Sequence, residues 1–100
     1  MRQLKNIHPG EVLKEEFLDP LDISVYRLSK ETGLSQTRLG QLVKGQRSMT
    51  AETAVKLAKF FGIAPEFWMN LQSLYDIEEA QKQYKKDLQS IHPIQEQAVA

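Results

Sequence analysis

The sequence predicts an all-α domain of five helices with an extended C-terminal helix, and three features support this prediction. Proline, glycine, serine and threonine residues that start or end helices recur along the 100 residues at helix-length intervals. Between them, apolar residues recur at spacings of three and four, the period of an amphipathic helix. The sequence contains no run of alternating β-branched residues, so we expect no strand. A chain of this length is expected to form one domain over residues 1–100.

The first helix is expected between two prolines. Pro9 suits a first helical turn, because the hydrogen bond that proline cannot donate is not needed there. Val12, Leu13 and Phe17 then give the helix an apolar stripe. Pro20 is expected to end the helix, because it lacks an N–H group and disfavours helical backbone at the preceding residue.

Each of the next three helices is predicted to begin after a hydroxyl residue and to end at a glycine. The side-chain oxygen of Ser or Thr accepts a hydrogen bond from the first turn, and glycine adopts the left-handed backbone that terminates a helix. The predicted pairs are Ser24 with Gly33, Ser35 with Gly45, and Thr50 with Gly62. The fifth helix is expected from Pro65 to about residue 89. The tail, from about residue 90 to residue 100, is expected to fray.

The charge of the chain is neutral overall but unevenly distributed. Thirteen Lys and Arg residues balance thirteen Asp and Glu residues. This balance argues against a non-specific nucleic-acid coat, because such proteins are basic throughout. Residues 24–50, however, hold five cations and one anion between flanks of net negative charge. This local basic segment predicts an electrostatic binding site on a neutral body.

The stretch from Leu28 to Gly45, LSKETGLSQTRLGQLVKG, has the pattern of a helix-turn-helix unit over about residues 25–45. Ser29 is small enough to let the two helices cross closely, and Gly33 permits a positive φ in the turn. Four leucines are expected to lock the pair onto the core: Leu28, Leu34, Leu39 and Leu42. Helix corners with glycine also occur in purely structural roles, so the chemistry of the exposed face decides between the two interpretations.

The second helix of this unit, the predicted recognition helix, carries polar side chains that suit the major groove of DNA. Gln pairs with adenine, Arg pairs with guanine, and the Thr methyl group contacts the thymine methyl group. Lys, Arg, Ser and helix-start N–H groups suit phosphate. We therefore predict nine DNA-binding residues: Ser35, Gln36, Thr37, Arg38, Gln41, Lys44, Gln46, Arg47 and Ser48. One short helix offers too little contact for tight specific binding, so we expect a homodimer that binds an inverted repeat.

Three segments resemble the HigA (VapI-type) antitoxins of the Xre, λ-repressor-like, helix-turn-helix class. They are IHPGEVLKEEFLDPL, LSQTRLGQLVKGQRSMTAETAVKLAKFFG and PEFWMNLQSLYDI, within about residues 7–77. The resemblance implies a λ-repressor-like helix-turn-helix domain. It also implies a dimeric repressor of its own toxin–antitoxin operon, which neutralises a RelE-like (HigB-type) mRNA-cleaving toxin. The residues after Ile77 carry no motif of the family.

Two further surfaces are candidates for protein contacts. An apolar group on the fifth helix is core, a dimer interface, or both on different faces: Phe67, Trp68, Leu71, Leu74 and Tyr75. A RelE-like toxin is expected to be basic and to prefer an acidic surface, and the first helix offers one: Glu11, Glu15, Glu16 and Asp19. The alternative is the acidic C-terminal segment, which carries Asp76, Glu78, Glu79 and Asp87. We favour the first helix, because docking on an ordered helix costs less entropy.

Other classes of function are not indicated by the sequence. With no cysteine and two histidines, neither a disulfide nor a metal site is expected, and His8 is expected to pack or cap near the first helix. No Ser–His–acid set or phosphate loop is evident, so we expect neither enzyme activity nor a cofactor. With no signal-peptide pattern and no membrane span, a cytoplasmic protein is expected. The alternatives to an antitoxin are a stand-alone Xre-type repressor and a protein-interaction module without DNA binding.

Overall fold

The structure is a computed structural model that describes residues 5–97. Its helices are α1 (residues 9–21, comprising Pro9–Val12, the π-helical Leu13–Leu18 and Asp19–Leu21), α2 (Val25–Thr32), α3 (Gln36–Val43), α4 (Ala51–Phe61), α5 (Pro65–Gln83), α6 (Lys85–Gln89) and α7 (Ile94–Gln97). No strand occurs in this part of the chain, and the all-α prediction is confirmed. The predictions for residues 1–4 and 98–100 lie outside the described residues.

The predicted count of five helices is approximate, because the C-terminal helix is divided. The backbone at Tyr84, with φ −105° and ψ 25°, interrupts the helix that was predicted to extend unbroken to about residue 89. In the tail that was predicted to fray, the short helix α7 adds one turn.

A π-helical segment explains how α1 continues through Pro20. The prediction that Pro20 ends the helix is wrong by one residue, since α1 passes through Pro20 to Leu21, and its C-cap Asp22 adopts a left-handed conformation with φ 54°. Within Leu13–Leu18 the turns are wider, and Asp19 N–H bonds the carbonyl of Lys14, five residues back. Pro20 needs no N–H donor in this arrangement. A wide turn also relieves the collision between a proline ring and the carbonyl four residues earlier.

The predicted caps of α2, α3 and α4 are confirmed. Each capping hydroxyl accepts a hydrogen bond from the backbone N–H three residues on, at 3.0 Å for Ser24 and Ser35 and 3.3 Å for Thr50. Three glycines with positive φ follow these helices: Gly33, Gly45 and Gly62. These local signals fix where each short helix starts and stops, and so fix the orientation of α3.

The hydrophobic core joins the first five helices. α5 packs along α4, α2 packs against α3 and α4, and α1 contacts both α3 and α5. The core contains the four leucines predicted to hold the helix-turn-helix unit, and Trp68 of α5 is fully buried in it. Aromatic rings surround the indole of Trp68, with the centroids of Phe17 and Phe67 at 5.1 and 5.0 Å. α5 is therefore part of the same domain as the helix-turn-helix unit.

Residues 79–97, which we call the C-terminal arm, extend away from this core. Every residue of the arm is exposed, and the described molecule is elongated, with principal extents of 62 × 28 × 21 Å. In residues 5–97 no helix has the length and apolar character needed to cross a membrane. The same residues contain no cluster of three His, Asp or Glu side chains placed to hold a metal ion.

Candidate nucleic-acid interface

The helix-turn-helix unit consists of α2, a turn at residues 33–35, and α3. Gly33 adopts φ 79° in the turn, as predicted. Ser29 of α2 is more than a small residue, because its hydroxyl donates a hydrogen bond to the carbonyl of Leu34. Leu28 and Leu34 are buried on either side of that bond. The turn is therefore held by the backbone, by a side-chain hydrogen bond and by the core together.

The nine residues predicted to bind DNA lie on α3, at its N-cap and in the loop of residues 44–50. Leu39 and Leu42 are fully buried on the inner side of α3, which turns the polar side chains outward. Of the nine, Arg38 and Gln41 are partly buried and the other seven are exposed. We call this surface the recognition face: Ser35, Gln36, Thr37, Arg38, Gln41, Lys44, Gln46, Arg47 and Ser48. It presents hydrogen-bonding side chains and two unburied cations, Lys44 and Arg47, which are groups of the kind that contact base edges and phosphates.

The backbones of α1 and α3 touch behind the recognition face. A Cβ atom added to Gly10 would lie 1.7 Å from the carbonyl oxygen and 2.6 Å from the carbonyl carbon of Leu42. Only a residue without a side chain fits at that distance. In the sequence Gly10 stands out only as part of a family motif, and nothing there indicates this contact.

His8 caps α1, and its ring also contacts Tyr75 of α5. Its Nδ1 accepts a hydrogen bond from Gly10 N–H at 2.9 Å, and its ring meets the Tyr75 ring edge-on at 4.9 Å. Burial lowers the pKa of His8, and the charge of Asp76 opposes this effect. The lowered pKa favours the neutral imidazole, the form in which a ring nitrogen can accept a hydrogen bond. The prediction that His8 packs or caps near the first helix is confirmed.

A buried glutamine fixes the loop of residues 44–50. Gln72 of α5 accepts a hydrogen bond from Met49 N–H at 2.6 Å and donates one to Asp76 at 2.8 Å. Both Gln72 and Met49 are buried. Gln72 was not predicted from the sequence, although it lies four positions after Trp68, and a polar residue on the buried side of a helix was a usable signal.

Arg38 is held by residues of α4. Its Nη1 lies 3.1 Å from Glu52 Oε1, and Lys56 Nζ lies 2.8 Å from Glu52 Oε2. The hydrogen bond from Lys56, and then Arg38, lower the pKa of Glu52. The sequence predicts Arg38 but not Glu52 as part of this site, and nothing in their spacing indicates the contact.

Of the five apolar residues predicted to form core or a dimer interface, some are buried and others are exposed. Trp68 is fully buried and belongs to the core, so it is not available to a partner. Leu71 and Tyr75 are partly buried. Phe67 and Leu74 are 40% and 65% exposed. Of the five, only the last two present a large free surface.

The acidic residues of α1 differ in their pairing. Lys5 bonds Glu11 at 2.8 Å and Lys14 bonds Asp19 at 2.9 Å. Glu15 and Glu16 are exposed, with no ion-pair partner among residues 5–97. In the alternative acidic segment, Glu78 and Glu79 lie within 4 Å of Lys82, at 3.4 and 3.8 Å. Glu15 and Glu16 are therefore less compensated than Glu78 and Glu79.

The fold and the recognition face define a helix-turn-helix DNA-binding domain. A sequence profile of the family described as Helix-turn-helix matches residues 13–68, more than half of the chain. The match covers α2 and α3, with most of α1, all of α4 and the start of α5.

Similarity to named proteins identifies the subgroup of this family to which the chain belongs. The chain is 39% identical to Virulence-associated protein I of Dichelobacter nodosus, covering 92% of this chain and 82% of that protein. It is 33% identical to Antitoxin HigA-1 of Vibrio cholerae, covering 94% and 90%. The solved structure of Pseudomonas aeruginosa antitoxin HigA with the higBA promoter matches with a TM-score of 0.85 at 37% identity, covering 89% and 98%. The chain belongs to the HigA/VapI-type antitoxins of the helix-turn-helix family, which are transcription regulators rather than enzymes.

Proposed function

We propose that this chain is an antitoxin that binds the operator of its own operon as a homodimer and neutralises a RelE-like, HigB-type toxin. The observation that carries the DNA-binding part is the recognition face, whose polar residues point outward from a buried leucine seam. The Pseudomonas aeruginosa relative of the same fold is described with its promoter, which supports the same use of α3 here.

The chemistry of the recognition face divides into two roles. Arg38 and Gln41, near the middle of α3, suit base edges, because Arg pairs with guanine and Gln with adenine. Lys44 and Arg47 lie beyond the end of α3, are exposed, and have no ion-pair partner among the described residues. Their charges suit phosphates, which set affinity and register but carry no sequence information.

The first prediction separates these roles by substitution. Arg38→Ala and Gln41→Ala are expected to lose operator discrimination, at about 1–3 kcal/mol for each bidentate contact. Lys44→Ala and Arg47→Ala are expected to weaken binding to all sequences and to flatten the salt dependence by about one unit each. A gel-shift series on the promoter of the chain's own operon, with random duplex of equal length, measures both effects. If Arg38→Ala binds both duplexes as the wild type does, α3 is not the recognition helix.

We expect a homodimer because one recognition face offers too little contact for tight specific binding. Phe67, Leu74 and Ile77 are exposed and lie at spacings of seven and three on α5, and so share one side of that helix. We propose a second copy of the chain as the partner of this side. The half-sites are then expected about one helical turn of DNA apart, or a multiple of that distance. Sedimentation of the operator complex measures its stoichiometry, and one chain per operator would contradict the dimer.

The toxin is proposed to bind the outer side of α1. Glu15 and Glu16 offer two uncompensated negative charges, and they line a shallow groove together with Ile7 and Val12. A basic partner is attracted there and repelled by the basic recognition face. Toxin and operator can then be held at the same time, as autorepression by the complex requires.

The second prediction concerns the rate of toxin capture. Reversing both charges with Glu15→Lys and Glu16→Lys is expected to slow association about 10-fold or more at low salt, because steering depends on charge. Stopped-flow mixing with a RelE-like protein, if one is encoded beside this gene, measures the rate. The matched control reverses two exposed acids of the C-terminal arm, Asp87→Lys and Glu96→Lys, and is expected to leave the rate unchanged. Loss of capture in the control alone would move the toxin site to the C-terminal arm. A chain with no toxin partner would be a stand-alone repressor.

A further inference from the structure

Arg38 differs from the other polar residues of the recognition face in being tied to the rest of the domain. Within residues 5–97, it is the one member of that face that takes part in an ion pair. Its side chain is 30% exposed, whereas that of its partner Glu52 is 54% exposed. The guanidinium is therefore drawn back against α4 instead of extending freely into solvent.

The partner of Arg38 is itself fixed. Glu52 lies in the first turn of α4, where a negative charge is favoured by the helix dipole. Its second oxygen bonds Lys56, one turn further along α4, at 2.8 Å. The three side chains form an ion-pair network, Arg38–Glu52–Lys56, that joins the recognition helix to α4.

Stability does not account for this arrangement, because ion pairs between exposed side chains contribute little to folding. A carboxylate next to a DNA-binding surface also carries a cost, since it repels phosphates. The arrangement is better explained by what it does to Arg38. A guanidinium has five N–H donors in a fixed plane, so one can be held by Glu52 while others remain free to pair with a base.

We propose that Glu52 is a positioning residue for DNA recognition, which holds the Arg38 guanidinium for a base edge and withholds its charge from phosphates. The inference rests on the proposed DNA-binding function. In this arrangement Glu52 raises the ratio of operator to random-DNA affinity by lowering binding to random DNA and by orienting one base contact.

The test removes the charge and retains the shape of the side chain. In E52Q, Arg38 is released to neutralise a phosphate. Affinity for random duplex is expected to rise several-fold, with a salt dependence steeper by about one unit. The ratio of operator to random affinity is expected to fall about 10-fold, since the base contact loses its fixed geometry. Glu52→Asp, which keeps the charge on a shorter side chain, is expected to fall between the wild type and E52Q.

Two controls make the result specific to Arg38. Glu31→Gln removes the same charge from another exposed acid, which faces Arg27 at 3.9 Å, and it is expected to leave the affinity ratio unchanged. In an Arg38→Ala background, E52Q is expected to have no further effect on the ratio. The melting temperature of E52Q should lie within several degrees of that of the wild type, because an exposed charge at a helix start contributes little to stability.

The outcomes separate this inference from the proposed function. If the wild type shows no preference for its own promoter over random duplex, the proposed function itself fails. If the wild type discriminates but E52Q keeps the same ratio, or lowers it equally without Arg38, Glu52 does not position Arg38 and the inference is overturned.

Discussion

Replacing Gly10 with alanine is expected to destabilise the protein by about 3 kcal/mol or more, because the atoms that the new methyl group meets belong to the backbone and not to a flexible side chain. The added Cβ would lie 1.7 Å from the Leu42 carbonyl oxygen, so α1 or α3 must move. For a domain of this size that loss lowers the melting temperature by roughly 12 °C or more. Thermal unfolding followed by circular dichroism measures it, and operator binding should weaken in parallel, since α3 carries the recognition face.

A second glycine provides the matched control. Gly40 lies inside α3, and a Cβ added there would meet nothing within 4 Å. Gly40→Ala is therefore expected to stabilise the protein by about 0.5–1 kcal/mol, the usual gain when alanine replaces glycine within a helix. If the melting temperature of Gly10→Ala equals that of Gly40→Ala instead of lying far below it, α1 and α3 do not approach as closely as the structure places them.

Replacing Trp68 with alanine is expected to cost about 3–5 kcal/mol, the usual range for removing a large buried aromatic side chain. The indole is fully buried, packs against Phe17, Phe61 and Phe67, and joins α5 to the rest of the core. The expected result is a lower melting temperature together with weaker operator binding, because α5 also holds the loop of residues 44–50 through Gln72. Circular dichroism is the appropriate probe, since the variant lacks the only tryptophan.

Trp68→Phe tests the packing interpretation more finely. Phenylalanine retains aromatic contacts and removes the indole N–H, which is buried without a hydrogen-bond partner among the described residues. Because an unpaired buried donor costs about 1–3 kcal/mol, its removal offsets part of the cavity that remains. The phenylalanine variant is expected to lose less than half as much stability as Trp68→Ala. Equal losses would show that the indole N–H has a favourable partner.

The features that the sequence predicts well are those decided within a few residues. A hydroxyl that caps a helix acts three residues away, so Ser24, Ser35 and Thr50 could each be assigned from local sequence. The outward face of α3 follows from its leucine spacing, because buried Leu39 and Leu42 leave only one side exposed. Pro20 shows the limit of such rules, since widening the preceding turns removes the conflict on which the prediction depended.

The contacts that hold the recognition face in place could not be predicted, because they join residues that are distant in the chain. Gly10 meets Leu42, Gln72 bonds Met49, and Glu52 pairs with Arg38. None of these contacts follows from periodicity or composition. Each depends on how α1, α4 and α5 pack around α3, which a single sequence does not specify by spacing alone.

The contact between Gly10 and Leu42 lies on the side of α3 opposite the outward side chains, and this separation affects how such a protein can evolve. Residues such as Gln36 and Thr37 are exposed and make no side-chain hydrogen bond within residues 5–97, so they can be exchanged without disturbing the contact behind them. Surface substitutions of this kind usually change stability by less than about 0.5 kcal/mol. Two related chains in one cell could therefore diverge toward different operators through a few substitutions, while sharing the same scaffold and avoiding repression of each other's genes.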